Sequence, residues 1–75
     1  MTPQERIAEA VRLYPGALAH VATESGISRA RLCTYLSGAP GKAGYAPPTD
    51  EMAGKVRAAV RALLLRAVAS LDSLD

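Results

Sequence analysis

The stretch ESGISRARLCTYLSG, residues 24–38, decides the fold of this chain. Gly26 supplies the left-handed or otherwise tight conformation that a sharp turn needs. Ile27 is apolar and is expected to plug the angle between two helices. Ser28 is a good cap for a following helix over about 29–36. Helical spacing puts Leu32, Tyr35 and Leu36 on an inward side. Ser28, Arg29, Ala30, Cys33, Thr34 and Ser37 are left on the outer side, with Arg31 pointing sideways. A helix with so small and basic an outer face raises the question of what it is shaped to enter.

A chain of 75 residues makes one domain, 1–75, with a thin core that often needs a staple or a second subunit. One cysteine, Cys33, excludes a disulfide within the chain and suggests a reducing compartment. The start, MTPQERIAEA, is charged and amphipathic, unlike a signal peptide. The longest apolar run, ALLLRAVASL, is interrupted by Arg66, so no membrane span is expected and the expected location is cytoplasmic: nucleoid-associated, or in a host cytoplasm if phage-encoded. The net charge of +2 is modest, but its distribution is uneven. No carboxylate falls between Glu24 and Asp50, while Arg29, Arg31 and Lys42 give that window a local +3. A polyanionic partner would gain from this arrangement.

The remaining elements are also helical. Thr2, Pro3 and Glu5 form a capping-box start for a first helix, whose face carries Ile7, Ala10, Val11 and Tyr14 and which Pro15-Gly16 ends. A second helix is expected over about 17–25, with Leu18, Val21 and Ala22 on one side. Residues 37–48, SGAPGKAGYAPP, hold three glycines and three prolines and read as a long loop. Thr49 or Asp50 then caps a helix running to about Leu71, with Gly54 a possible bend. Met52, Val56, Val60, Leu63, Ala67, Ser70 and Leu74 recur at spacings of 4, 4, 3, 4, 3 and 4, close to a heptad seam. The expected fold is all-α: a compact helix-turn-helix domain of four or five helices (helix-turn-helix 17–37, loop 38–48), with a long C-terminal dimerisation helix in 49–75.

Val21, Ala22, Gly26, Ile27, Leu32 and Tyr35 fall without a gap on a pattern that resembles the helix-turn-helix of the Cro/C1-type (XRE-like) DNA-binding proteins. PPTDEMAGKV looks like that family's Pro-Ser/Thr start of the next helix, so the likeness covers about 18–56. The loop is longer than the usual pattern. Tyr35-Leu36-Ser37 followed by Gly44-Tyr45 looks like the small repressors encoded beside anti-CRISPR genes in phages. The resemblance implies a sequence-specific binder of duplex DNA, acting as a transcriptional repressor or autoregulator.

On that reading Ser28, Arg29, Ala30, Cys33, Thr34 and Ser37 face bases in a major groove that admits one helix. Arg31, Lys42 and Tyr45 would hold phosphates. A four-helix chain of this size cannot cover the distal half of its last helix, so Val60, Leu63, Leu64, Ala67, Val68 and Leu71 are expected to join two copies on an inverted-repeat operator. Each assignment has a plainer counterpart: Arg29 and Arg31 as solvated charges, Cys33 as a neutral residue, Tyr35 as core, Lys42 and Tyr45 as ordinary loop residues. His20 has no partners at metal-ligand spacing, and no nucleophile–base pair or phosphate-binding glycine loop is apparent. No enzyme activity, cofactor, metal, small-molecule ligand or membrane partner is therefore expected. Two other readings stay open: a helical protein-interaction module, antitoxin-like or adaptor, that never touches DNA, and a binder of RNA, whose narrow major groove would admit this helix poorly.

Overall fold

The structure, a computed structural model, describes residues 1–37 and 47–74. It holds four helices among them: α1 (Pro3–Leu13), α2 (Leu18–Ser25), α3 (Arg29–Ser37) and α4 (Asp50–Asp72). No strand occurs among the described residues, so the all-α expectation is met.

Each helix begins where its local chemistry permits. The Glu5 N–H donates to Thr2 Oγ1 at 3.1 Å while the Thr2 N–H donates to Glu5 Oε1 at 3.2 Å, closing the capping box. The Thr2 N–H and the Thr2 hydroxyl, the latter at 3.0 Å, both donate to the Glu5 carboxylate and hold it below its ordinary 4.5. Ala17 is the cap of α2, so that helix starts one residue later than expected. At its other end Gly26 adopts φ +74° and its N–H donates to the Ala22 carbonyl at 3.0 Å. The Arg31 N–H donates to Ser28 Oγ at 3.2 Å, so Ser28 caps α3, which runs on to Ser37. Thr49 caps α4 by accepting from the Met52 N–H at 3.3 Å. Gly54 does not interrupt α4.

Ile7, Val21, Leu32 and Val56, one from each helix, are fully buried at the centre. Ile27, Tyr35, Ala53 and Val60 complete the core, and Tyr14, Leu18, Ala22, Met52, Leu63 and Leu64 pack around it. Full burial of each large apolar side chain contributes about 1.5–3 kcal/mol, against about 0–1 kcal/mol for an exposed ion pair. The core therefore holds the bundle. The pairs Arg6–Asp50 and Arg66–Glu24, which tie α1 and α2 to α4, mainly orient it. Both α3 and α4 pack on α1 and α2. Tyr14 donates to or accepts from His20 Nδ1 at 3.0 Å across the 15–17 turn. Its ring lies over Gly16, where a Cβ would come within 2.5 Å of the phenol oxygen.

The seam on α4 needs correcting. Ala53 and Ala59 are buried, whereas Met52 is only half-buried. Val60 is 5 % exposed, so most of its side chain belongs to this chain's own core, and only its edge reaches the groove between α1 and α4. Leu63 and Leu64, expected to project freely, are half-buried against that core. Beyond them α4 runs clear of the bundle. The described residues span 52 × 22 × 17 Å with a radius of gyration of 13.4 Å. A compact chain of this length would have about 11 Å.

A Cβ at Gly26 or at Gly54 would meet nothing within 4 Å, so backbone conformation alone decides the effect of substitution. Gly26→Ala is expected to destabilise by about 1–2 kcal/mol, because φ is positive. Gly54→Ala is expected to stabilise by about 0.8–1 kcal/mol, as in any exposed helix interior. Urea denaturation of the two variants should show midpoints displaced in opposite directions.

Candidate nucleic-acid interface

The outward residues of α3 follow from what its inner side buries. Leu32 is fully buried and Tyr35 is 5 % exposed, with Leu36 half-buried beside them. Arg29, Ala30, Arg31, Cys33, Thr34 and Ser37 are all exposed, as is Ser28 at the cap. Helical spacing sets Ala30, Thr34 and Ser37 along the middle of this face, with Arg29 and Arg31 on opposite shoulders. The middle of the face is therefore low, and the shoulders carry the charge. Arg31 lines an open groove of about 430 Å³ with Ala30, Thr34, Pro47, Thr49 and Met52, so its shoulder is the one beside the start of α4. Arg29 lies on the far shoulder, at the first residue of the helix, where side chains lean past the helix end.

The hydroxyls on this face differ in what they can still do. Thr34 Oγ1 donates to the Ala30 carbonyl at 3.0 Å, and Ser37 Oγ donates to the Thr34 carbonyl at 3.0 Å. Both protons are engaged by the helix itself, which leaves the Thr34 methyl as that residue's distinctive outer group. Ser28 Oγ accepts from the Arg31 N–H, which leaves its own proton to donate outward.

The charge arrangement works against the helix. A helix N-terminus carries roughly half a positive charge and favours acids. α1 follows that rule at both ends, with Glu5 in the first turn and Arg12 in the last. α3 has no acid in its first turn and places Arg29 and Arg31 there instead. Neither arginine has an ion-pair partner among the described residues. Glu24, the nearest acid along the chain, is drawn to α4 by Arg66. The exposed start of α3 thus combines two guanidinium groups and a hydroxyl donor that have no partner among the described residues with a positive helix end.

Lys42 and Tyr45 lie outside the described residues. Among the described residues no three His, Cys, Asp or Glu side chains are placed to hold a metal ion, and no helix is long and apolar enough to cross a membrane. Cys33 is exposed and has no thiol partner. The ion pairs from α4 to α1 and α2 were not foreseen from the sequence, because their members are 44 and 42 residues apart. No protein-family model matches the chain, and no curated protein or solved structure matches it either.

Reversing the adverse charge should stabilise the fold. Arg29→Glu is expected to raise stability by about 0.3–1 kcal/mol at low ionic strength, a gain that salt diminishes. Ser28→Ala should lower stability by about 1 kcal/mol through loss of the cap. Thermal unfolding at two salt concentrations checks both. A lower midpoint for Arg29→Glu would show that the arginine has a structural role.

Proposed function

We propose that this chain binds duplex DNA sequence-specifically through α3 and acts as a transcriptional repressor or autoregulator by occluding a promoter. The observation that carries the reading is the pair Arg29 and Arg31 at the positive end of α3, exposed and without a carboxylate partner among the described residues. Such an arrangement weakens the isolated fold and is relieved by an anion. The phosphate-lined major groove supplies that anion and admits a single helix. A low central face of Ala30, Thr34 and Ser37 lets the helix approach the base edges closely.

The roles follow from position. Arg29, leaning past the start of α3, is placed to grip guanine O6 and N7 by two hydrogen bonds. Ala30 and the Thr34 methyl suit a thymine methyl, and Cys33 and Ser37 complete the surface against the bases. Ser28 and Arg31 suit phosphates on the flanking strand, although Ser28 can also reach a base edge. The glycine turn and the inward Leu32 and Tyr35 support the likeness to the Cro/C1-type helix-turn-helix. Two copies of α3 in a homodimer would meet successive major grooves about 34 Å apart on an inverted repeat, in the cytoplasm where such operators are read.

Selection from a random duplex pool at fixed salt should return one preferred sequence. Arg29→Ala should then relax the preference at a single base pair by about 1–3 kcal/mol. Arg31→Ala should weaken all sequences alike and reduce the salt slope by about one. Binding that is weak, salt-insensitive and without sequence preference would overturn the proposal in favour of a protein-interaction module, and tighter binding to duplex RNA would overturn it in favour of an RNA regulator.

A further inference from the structure

Beyond the bundle, α4 carries a second surface that its own chain does not cover. At about 100° per residue, Arg57, Arg61, Leu64, Leu65, Val68, Leu71 and Asp72 fall within an arc of about 120°. That arc lies about a third of a turn from the buried stripe of Ala53, Val56, Ala59 and Val60. Leu65, Val68 and Leu71 are 57 %, 53 % and 64 % exposed. Next to them Leu13 of α1 is 57 % exposed. Ala10 and Leu13 of α1 face Arg57, Arg61, Leu64 and Val68 across an open groove of about 310 Å³ whose lining, which includes Val60 and Leu65, is almost wholly apolar.

The charges on this arc are sorted by position. Arg57 and Arg61 stand at one end, the leucines and valine occupy the middle, and Asp72 stands at the other end. None of the three has an ion-pair partner among the described residues. Asp72 sits in the last turn of α4, where no base accompanies it and the helix end is itself negative. A surface that is basic, then apolar, then acidic complements itself only when one copy is turned end for end.

We infer that two copies of this chain pair through this face as an antiparallel, two-fold dimer centred between Leu64 and Leu65. In that register Arg57 lies opposite the partner's Asp72, and Arg61 lies opposite the partner's Val68, within one turn of the same aspartate. The partner's Val68 and Leu71 cover the groove beside Ala10 and Leu13. The paired segments, 57–72 in each copy, overlap over about 24 Å. A parallel pairing would set Arg57 against Arg57 and Asp72 against Asp72 and is disfavoured by like charge. The face differs from the heptad seam, since Leu65 and Asp72 take part and Val60 reaches it only at the edge of the groove. The inference rests on the homodimer within the functional reading and is independent of how α3 meets DNA.

The test is made without DNA, by sedimentation equilibrium of the full chain at roughly 10–100 µM, above the Kd of a dimer held by about −8 kcal/mol. Wild type is expected at twice 7.8 kDa. Asp72→Arg sets arginine against arginine, and the double variant Arg57→Glu, Arg61→Glu sets glutamate against aspartate. Each alone is expected at the monomer mass, with helix content unchanged by circular dichroism because all three positions are exposed. Mixed in equal amounts, the two variants restore both opposite-charge contacts and are expected to sediment as a heterodimer. A monomeric wild type, variants that still dimerise alone, or a mixture that stays monomeric would each overturn the inference. None of those results bears on base reading by α3, and a dimeric wild type that ignores duplex sequence would overturn that reading while leaving this one intact.

Discussion

The structure turns on one backbone conformation, the positive φ of Gly26. It ends α2 after two turns and reverses the chain, so that Ile27 enters the core at 6 % exposure one residue later. With Ile27 fixed, Ser28 is held outside as the cap of α3, and the register of Leu32 and Tyr35 follows at helical spacing. A side chain at position 26 would strain the backbone without touching anything, so the glycine is required by torsion and not by space. The exposed face of α3 is therefore a consequence of a turn that lies wholly outside that face.

Helix ends offer a second way of sorting the molecule. Glu5 and Arg12 agree with the dipole of α1, and Asp50 and Glu51 agree with that of α4. Three helix ends carry charges that oppose it: Glu24 late in α2, Arg29 with Arg31 early in α3, and Asp72 late in α4. The first is answered inside the chain, because Arg66 reaches across from α4. The other two are exposed and unanswered among the described residues. Local rules broken without an internal remedy are where partners are to be sought. The two sites differ in what surrounds the charge. At α3 the neighbours are small and polar, suited to a wet and polar surface such as nucleic acid. At α4 the neighbours are leucine and valine, suited to a dry contact between proteins.

The small core and the long last helix are linked. Residues 1–37 supply only three short helices, and these can cover little more than the first half of a helix of 23 residues. Val56 and Val60 are consumed by that cover, Leu63 and Leu64 lie at its edge, and Leu65, Val68 and Leu71 are beyond it. Length mismatch, more than any single residue, is what leaves α4 with an apolar surface.

Much of this was legible in the residues themselves. The capping box of Thr2 and Glu5, the stop at Gly26, the caps Ser28 and Thr49, and the inward set Leu32, Tyr35 and Val56 are local properties. They depend on torsion preferences and on hydrogen bonds three or four residues apart, and a sequence displays such separations directly. The outer set on α3 was legible for the same reason, being what remains when the inner set is fixed by period. The sequence could not show that Ala53 and Ala59 are buried, because an alanine on a helix is neutral until another helix lies against it. Nor could it show that Val60 is enclosed while Leu65 is bare, or that Arg66 turns to Glu24. Those depend on the angle and height at which α1 and α2 meet α4, and contacts across more than forty residues are set by how whole helices pack, a property of the assembled bundle that no local pattern carries.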